Sequence, residues 1–167
     1  MGTPAQRLQS DRLKFPGMLP AEVVVFKAWL VLHEAEYERF DYNVRIGAGV
    51  DPGPSVPQYW RDLALASTQL RMDAVGWNGA QPTIIEVKRR ATPANIGQLL
   101  TYAAVWAVDN PNSPKPILRL VANSYQPNIV GIANTSGIAL DQVDADFSIL
   151  RPTTYGRKGG VNPPTGS

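Results

Sequence analysis

Asp73 lies in one short, mostly apolar run, residues 70–77, and Glu86 and Lys88 lie in another, residues 83–88, with Asn78-Gly79 between them. Asn and Gly both tolerate positive φ, so this dipeptide predicts a tight hairpin turn joining two strands. Side chains alternate along a strand, which places Glu86 and Lys88 on one face. A two-residue turn at Asn78-Gly79 pairs Asp73 with Ile84 and Arg71 with Glu86, leaving Asp73 diagonal to Glu86. A four-residue loop sets Asp73 directly opposite Glu86 and keeps the same parity. Either register gathers two carboxylates and an ammonium on an otherwise apolar hairpin. Like charges that close repel, and partly buried ones need a partner. A divalent cation between Asp73 and Glu86 removes the conflict, and hard oxygen donors suit Mg²⁺ or Mn²⁺. Lys88 then stands where it orients a water or steadies growing negative charge. A surface salt bridge on a solvated sheet face is the ordinary alternative, and the Ile, Val and Trp neighbours count against it.

Taken in order, these residues carry a resemblance. Asp73 followed by Glu86-Val87-Lys88 resembles the D…(D/E)-x-K signature of the PD-(D/E)xK nuclease superfamily. Gln98-Leu99-Leu100-Thr101-Tyr102 resembles the Q-x-x-x-Y motif of its RecB-like branch. E-x-K alone recurs by chance. The order Asp, hairpin turn, E-x-K, Pro-initiated helix and Q-x-x-x-Y is far more specific, and the likeness spans about residues 20–145. The resemblance implies an α/β, restriction-endonuclease-like core. Its central mixed β-sheet would be flanked by helices in the order α-β-β-β-α-β, followed by a weaker α-β. It also implies a Mg²⁺-dependent deoxyribonuclease that hydrolyses DNA phosphodiester bonds, with Mn²⁺ as a substitute. Asp73, Glu86 and the Val87 carbonyl would hold the metal, with Lys88 as the third catalytic residue. Glu22 matches the helix-one glutamate that points toward the metal in the superfamily; equally, an acidic residue in a first helical turn favours the positive end of the helix dipole. Gln98 and Tyr102 would border the site and contact DNA. The alternative is a nuclease fold that no longer cuts and serves as a structural or DNA-binding subunit.

Composition bounds the remaining possibilities. The chain has 167 residues, 44% hydrophobic and 18% charged, with net charge +2, which describes one ordinary globular domain of mildly basic balance. With no cysteine there is no disulfide, thiolate zinc site or cysteine nucleophile, and a single histidine, His33, argues against multi-histidine metal sites and a Ser-His-Asp triad. His33 is expected half-buried on a helix. The sequence contains no apolar run long enough to span a membrane, no visible signal peptide and no internal repeat. Gly47-Ala48-Gly49 fits no nucleotide-binding fingerprint. An intracellular, cytoplasmic location is expected, with a phage virion as the alternative.

These side chains need elements to position them. A first helix is expected over 21–36, apolar over a wide arc that includes Leu32. A first strand is expected over 37–46. Pro52, Gly53, Pro54 and Pro57 break the stretch 50–67 too often for a strand or long helix. Within it, Tyr59-Trp60-Arg61 is expected to fold onto its own domain, with stacking on a base as the sharper alternative. Past Lys88, Arg90 shares the lysine's side and suits a phosphate contact, while Arg89 faces away. Thr92-Pro93 opens a helix as N-cap and first residue. Its expected core stripe is Ile96, Leu99, Leu100, Ala103, Trp106 and Ala107, with Gln98 and Tyr102 on another face. A connector at 109–116 leads to a strand over 117–122, a helix within 125–133 and an edge strand over 138–143, with 147–150 extending the sheet. Asp141, Asp144 and Asp146 are expected on a solvated face. The domain is bounded at 21–150, between a basic N-terminal arm, 1–20, and a Pro/Gly-rich tail, 151–167. Such arms suit a subunit of a larger assembly, such as a phage particle, whose other subunits order the termini.

Overall fold

The computed structural model describes residues 10, 11 and 13–150; the tail at 151–167 and residues 1–9 and 12 of the N-terminal arm lie outside the described residues. In chain order the elements are α1 (Pro20–His33), β1 (Arg39–Ile46), α2 (Gln58–Thr68), β2 (Leu70–Asn78), β3 (Gln81–Ala91), α3 (Pro93–Asp109), β4 (Ile117–Tyr125), α4 (Ile129–Thr135) and β5 (Ile138–Gln142). The strands form one five-stranded sheet in the order β1-β2-β3-β4-β5. β1, β2 and β3 are antiparallel neighbours, whereas β3, β4 and β5 run parallel, so the sheet is mixed.

A central strand covered on both faces should be apolar throughout, and Pro82 to Val87 of β3 are all buried. On one face α1 sets Val23, Val25, Phe26 and Trp29 against Ala74, Ile85, Val87 and Val121. On the other, α3 and α4 set Ile96, Leu99, Tyr102, Trp106, Ile129 and Ala133 against Met72, Val75, Ile84, Leu118 and Leu120. The expected α/β class and helix-flanked mixed sheet are therefore present.

Several details depart from expectation. The turn is Gly79-Ala80, with Asn78 paired to Gln81 and only Gly79 at positive φ (56°), the pattern of a type II′ turn. The hairpin thus takes the register of the longer-loop alternative. An unexpected helix, α2, stands between the first two strands. The chain breakers stop at Pro57, and Leu63-Ala64-Leu65-Ala66 beyond it are good helix formers. Tyr59 and Trp60 are 70% and 56% exposed and pack edge-to-face on each other at 5.1 Å rather than onto the domain. Arg61 pairs with Asp51.

The phase of α3 also differs. Tyr102 belongs to the core stripe, its hydroxyl reaching the Arg71 carbonyl of β2, whereas Leu100 and Ala107 are exposed. At the C-terminal end of α1, Leu32 is exposed. α4 starts after Pro127, which a helix interior excludes. Phe147–Leu150 is a 3₁₀ turn, not a strand. Asp141 is an interior partner, accepting the Trp29 indole N–H at 2.8 Å and lying 3.2 Å from Arg119 Nε.

Candidate active site

The site is built where the sheet opens. Pairing of β2 with β3 runs from Asn78↔Gln81 to Ala74↔Ile85 and stops, although β2 stays paired to β1 as far as Leu70 and β3 to β4 as far as Ala91. Carried one step further, that register sets Asp73 opposite Glu86. The strands instead diverge, and the Asp73 side chain takes the place of a backbone partner, its Oδ2 accepting the Val87 N–H at 2.8 Å. N–H and C=O of one strand residue lie on the same side of the strand, so the Val87 carbonyl faces the same gap.

An irregularity in the β1–β2 ladder aims Asp73. Tyr42 pairs with Ala74 and Val44 with Met72, and Asn43 between them has φ 51°. Ala74 packs on the α1 side while Met72, two residues away, packs on the α3 side. A regular strand would put both on one face. The reversal falls at Asp73 and directs its carboxylate between the strands, the use that irregular strand positions commonly have beside functional sites.

Four charged side chains meet there. Lys88 Nζ lies 2.7 Å from Glu86 Oε1, 3.1 Å from Glu22 Oε1 and 3.9 Å from Asp73 Oδ2. Glu86 is 1% exposed, and its Oε2 is buried without a hydrogen-bond partner. Glu22, also buried, combines the two roles its position suggests. Oε2 accepts the Leu19 N–H at 2.8 Å at the start of α1, and Oε1 faces Lys88.

Three carboxylates around one ammonium leave an excess of negative charge in a poorly solvated place. Burial pushes Asp73 up to about 6, against the opposing pull of Lys88 and the Val87 N–H. Burial, reinforced by the charge of Asp73, pushes Glu86 up to about 7. Burial alone would lower Lys88, but Glu86 and Asp73 outweigh it and hold the ammonium above its usual range.

Among the described residues no three acidic or histidine side chains stand ready around a vacant metal position. The Lys88 ammonium occupies the point on which the carboxylates converge. The donor set nevertheless fits a hard divalent cation. All its atoms are oxygens, and one of them, Glu86 Oε2, lacks any partner in a place where an unpaired polar atom is costly.

The helix that follows is tied to the same gap. Thr92 N donates to Asn95 Oδ1 at 2.9 Å, Asn95 Nδ2 to Gln98 Oε1 at 3.3 Å, Gln98 Nε2 to Tyr102 Oη at 2.6 Å, and Tyr102 Oη to the Arg71 carbonyl at 2.6 Å. Tyr102 is therefore 3% exposed with its hydroxyl committed, and burial raises it to about 12. It anchors α3 to β2 and offers no free ring for a base, which corrects its expected place off the core. Asn95 was not singled out by the sequence reading. Its signal is the spacing Thr92-x-x-Asn95, in which the third helical residue reaches back to the cap. Arg90 is exposed and has no partner among the described residues, while Arg89 lies over the Phe147 ring at 4.6 Å. His33 stacks on Trp29 and lies 2.6 Å from Glu36, away from the site.

No family model matches this chain, and no curated protein matches it. Among solved structures it is similar to a repair endonuclease from Pyrococcus abyssi, with TM-score 0.48 and 15% identity over 77% of this chain and 48% of that one. It is also similar to EndoMS in a complex with double-stranded DNA, with TM-score 0.46 and 14% identity over 77% and 47% of the two chains. The chain spans about half the length of each. Likenesses this distant transfer no residue role and no substrate to this protein.

Proposed function

We propose that this protein is a metal-dependent nuclease that hydrolyses DNA phosphodiester bonds. The observation that carries the reading is Glu86: a fully buried carboxylate with one unpartnered oxygen, set beside Asp73 and Lys88 in a gap between two strands. Stability gives no reason to bury such a group. Asp73, Glu86 and the Val87 carbonyl would hold Mg²⁺ or Mn²⁺, with Glu22 directly or through a water. When bound, the cation would supply Lewis-acid polarisation of the phosphate and a water of lowered pKa.

The chain's own residues have separate tasks. The Val87 N–H orients Asp73, and the hydrophobic walls of β3 keep the Glu86 carboxylate out of bulk water. Lys88 carries the positive charge that meets negative charge growing on the phosphate, or that orients the attacking water. Arg90, exposed two residues beyond Lys88, suits a backbone phosphate. Gln98 and Tyr102 act at one remove by fixing α3 against the open end of β2.

The test is a plasmid-nicking assay with Mg²⁺, Mn²⁺ and Ca²⁺, run beside size-exclusion chromatography. Nicking that requires Mg²⁺ or Mn²⁺ and disappears in Asp73→Asn supports the reading. If no metal produces nicking, a non-cleaving structural or DNA-binding subunit takes its place.

A further inference from the structure

Arg45 of β1 and Arg71 of β2 are directly opposite each other in the antiparallel ladder. Both are exposed, and among the described residues neither has a carboxylate or hydrogen-bond partner for its side chain. Directly opposed residues have Cβ atoms about 5 Å apart, and like charges in that position destabilise the strand pair. Apart from Arg90, which is also exposed without a partner, and Arg89 over the Phe147 ring, the other described arginines are neutralised. Arg39 is bonded to Asp41, Arg61 to Asp51, and Arg119 to Glu36 beside Asp141.

Their position is set by the irregularity at Asn43 and Asp73. Val44, Ile46 and Met72 turn to the α3 side beyond it, so the alternating Arg45 and Arg71 take the other face. Arg71 is two residues from Asp73, about 7 Å along the strand. The pair thus stands at the rim of the gap that holds Asp73, Glu86 and Lys88. The register neighbours 43, 44, 46, 70, 72 and 73 include no aromatic ring.

Resting on the nuclease reading above, we propose that Arg45 and Arg71 form a clamp for the sugar–phosphate backbone of duplex DNA and seat the strand beside the cleavage centre. The chemistry of the pair selects this partner. Two unneutralised guanidiniums on adjacent strands match successive phosphates, with fork geometry suited to bidentate contact. A duplex presents its phosphates outward and hides its bases, so it asks for cations without stacking rings. A single strand would instead reward aromatic platforms. These two arginines are positioning residues, distinct from the groups that meet the reacting phosphate.

The experiment measures binding of a labelled 20-bp duplex, and of its single strand, by fluorescence anisotropy in EDTA from 50 to 200 mM salt. It compares wild type with Arg45→Gln, Arg71→Gln and the double variant, and melting temperature is recorded for each. Each phosphate contact contributes about 0.9 to the salt slope of duplex binding. The double variant should therefore lose about 1.8 from that slope, with each single variant losing about half. Its melting temperature should be unchanged or higher, because two opposed like charges have gone. An unchanged slope overturns the proposal, as does failure of wild type to bind duplex at 50 mM salt. A larger loss for the single strand than for the duplex overturns the duplex assignment. A fall in melting temperature that parallels the loss of binding makes the pair structural and overturns it too. Plasmid nicking by wild type is scored separately. Absence of nicking with the predicted slope change sinks the nuclease reading alone, and nicking with an unchanged slope sinks the clamp alone.

Discussion

Replacing Glu86 by Gln keeps the shape of the side chain and removes its titration. Glu86 ordinarily ionises near 4.5 and in this fold is pushed up to about 7, chiefly by burial. A carboxyl raised in the folded state stabilises the protein fully at pH below its unfolded value. That contribution is lost as pH rises through the folded value. Wild type in chelator should therefore lose stability between about pH 4.5 and about pH 7 and level off above that. At 1.36 kcal/mol per pH unit, the displacement from 4.5 to about 7 corresponds to about 3 kcal/mol. Gln cannot ionise, so Glu86→Gln should match wild type within about 1 kcal/mol at pH 5 and exceed it by up to about 3 kcal/mol at pH 8. For a chain of this size that is a rise of about 6–12 °C in melting temperature. Asp73, raised to about 6, leaves a smaller residual dependence in the variant. The assay is urea denaturation at pH 5, 6.5 and 8 in EDTA, repeated with Mg²⁺. Mg²⁺ should flatten the wild-type profile and barely move the variant. A variant equally or less stable than wild type at pH 8 would refute the reasoning, since Glu86 would then be a well-compensated anion with nothing for a cation to relieve.

Three further expectations follow from the same geometry. Mg²⁺ or Mn²⁺ should raise the wild-type melting temperature, and Asp73→Asn should weaken that response; an equal rise in both removes Asp73 from the metal site. Lys88→Met should be less stable than wild type in EDTA, because it leaves three carboxylates without their ammonium, and should recover with Mg²⁺ yet nick plasmid about 10²–10³ times more slowly. Equal nicking rates would place the activity elsewhere. Tyr102→Phe should cost about 1–3 kcal/mol in urea denaturation, since it leaves the Arg71 carbonyl and Gln98 without their hydroxyl partner; no loss would mean that water replaces it.

What was legible in the sequence was mainly local. The hairpin, the Thr92-Pro93 cap and the grouping of Asp73, Glu86 and Lys88 follow from turn chemistry, proline stereochemistry and the two-residue period of strands. The exact register was not legible, because Asn78-Gly79 and Gly79-Ala80 both offer a residue able to take positive φ. Tyr102 was misplaced because an aromatic residue on a helix looks alike whether its hydroxyl reaches solvent or the Arg71 carbonyl, and that carbonyl is 31 residues away. The divergence of β2 from β3, on which the whole site depends, has no local signature. It falls beside Asn43 on a third strand, whose left-handed conformation only the assembled ladder reveals.

The helix α2 has a consequence for how this molecule breathes. It contains no buried residue, and its ends are tethered through Val50 N–Thr68 Oγ1 and Gln69 Nε2–Gly47 O. An 11-residue helix is marginal on its own. Ile46 and Leu70, the residues on either side of the excursion, are already paired in the ladder. Residues 47–69 should therefore open as a unit at a lower free energy than the sheet beneath, which native-state hydrogen exchange would show as weaker protection of the α2 amides than of the β3 amides.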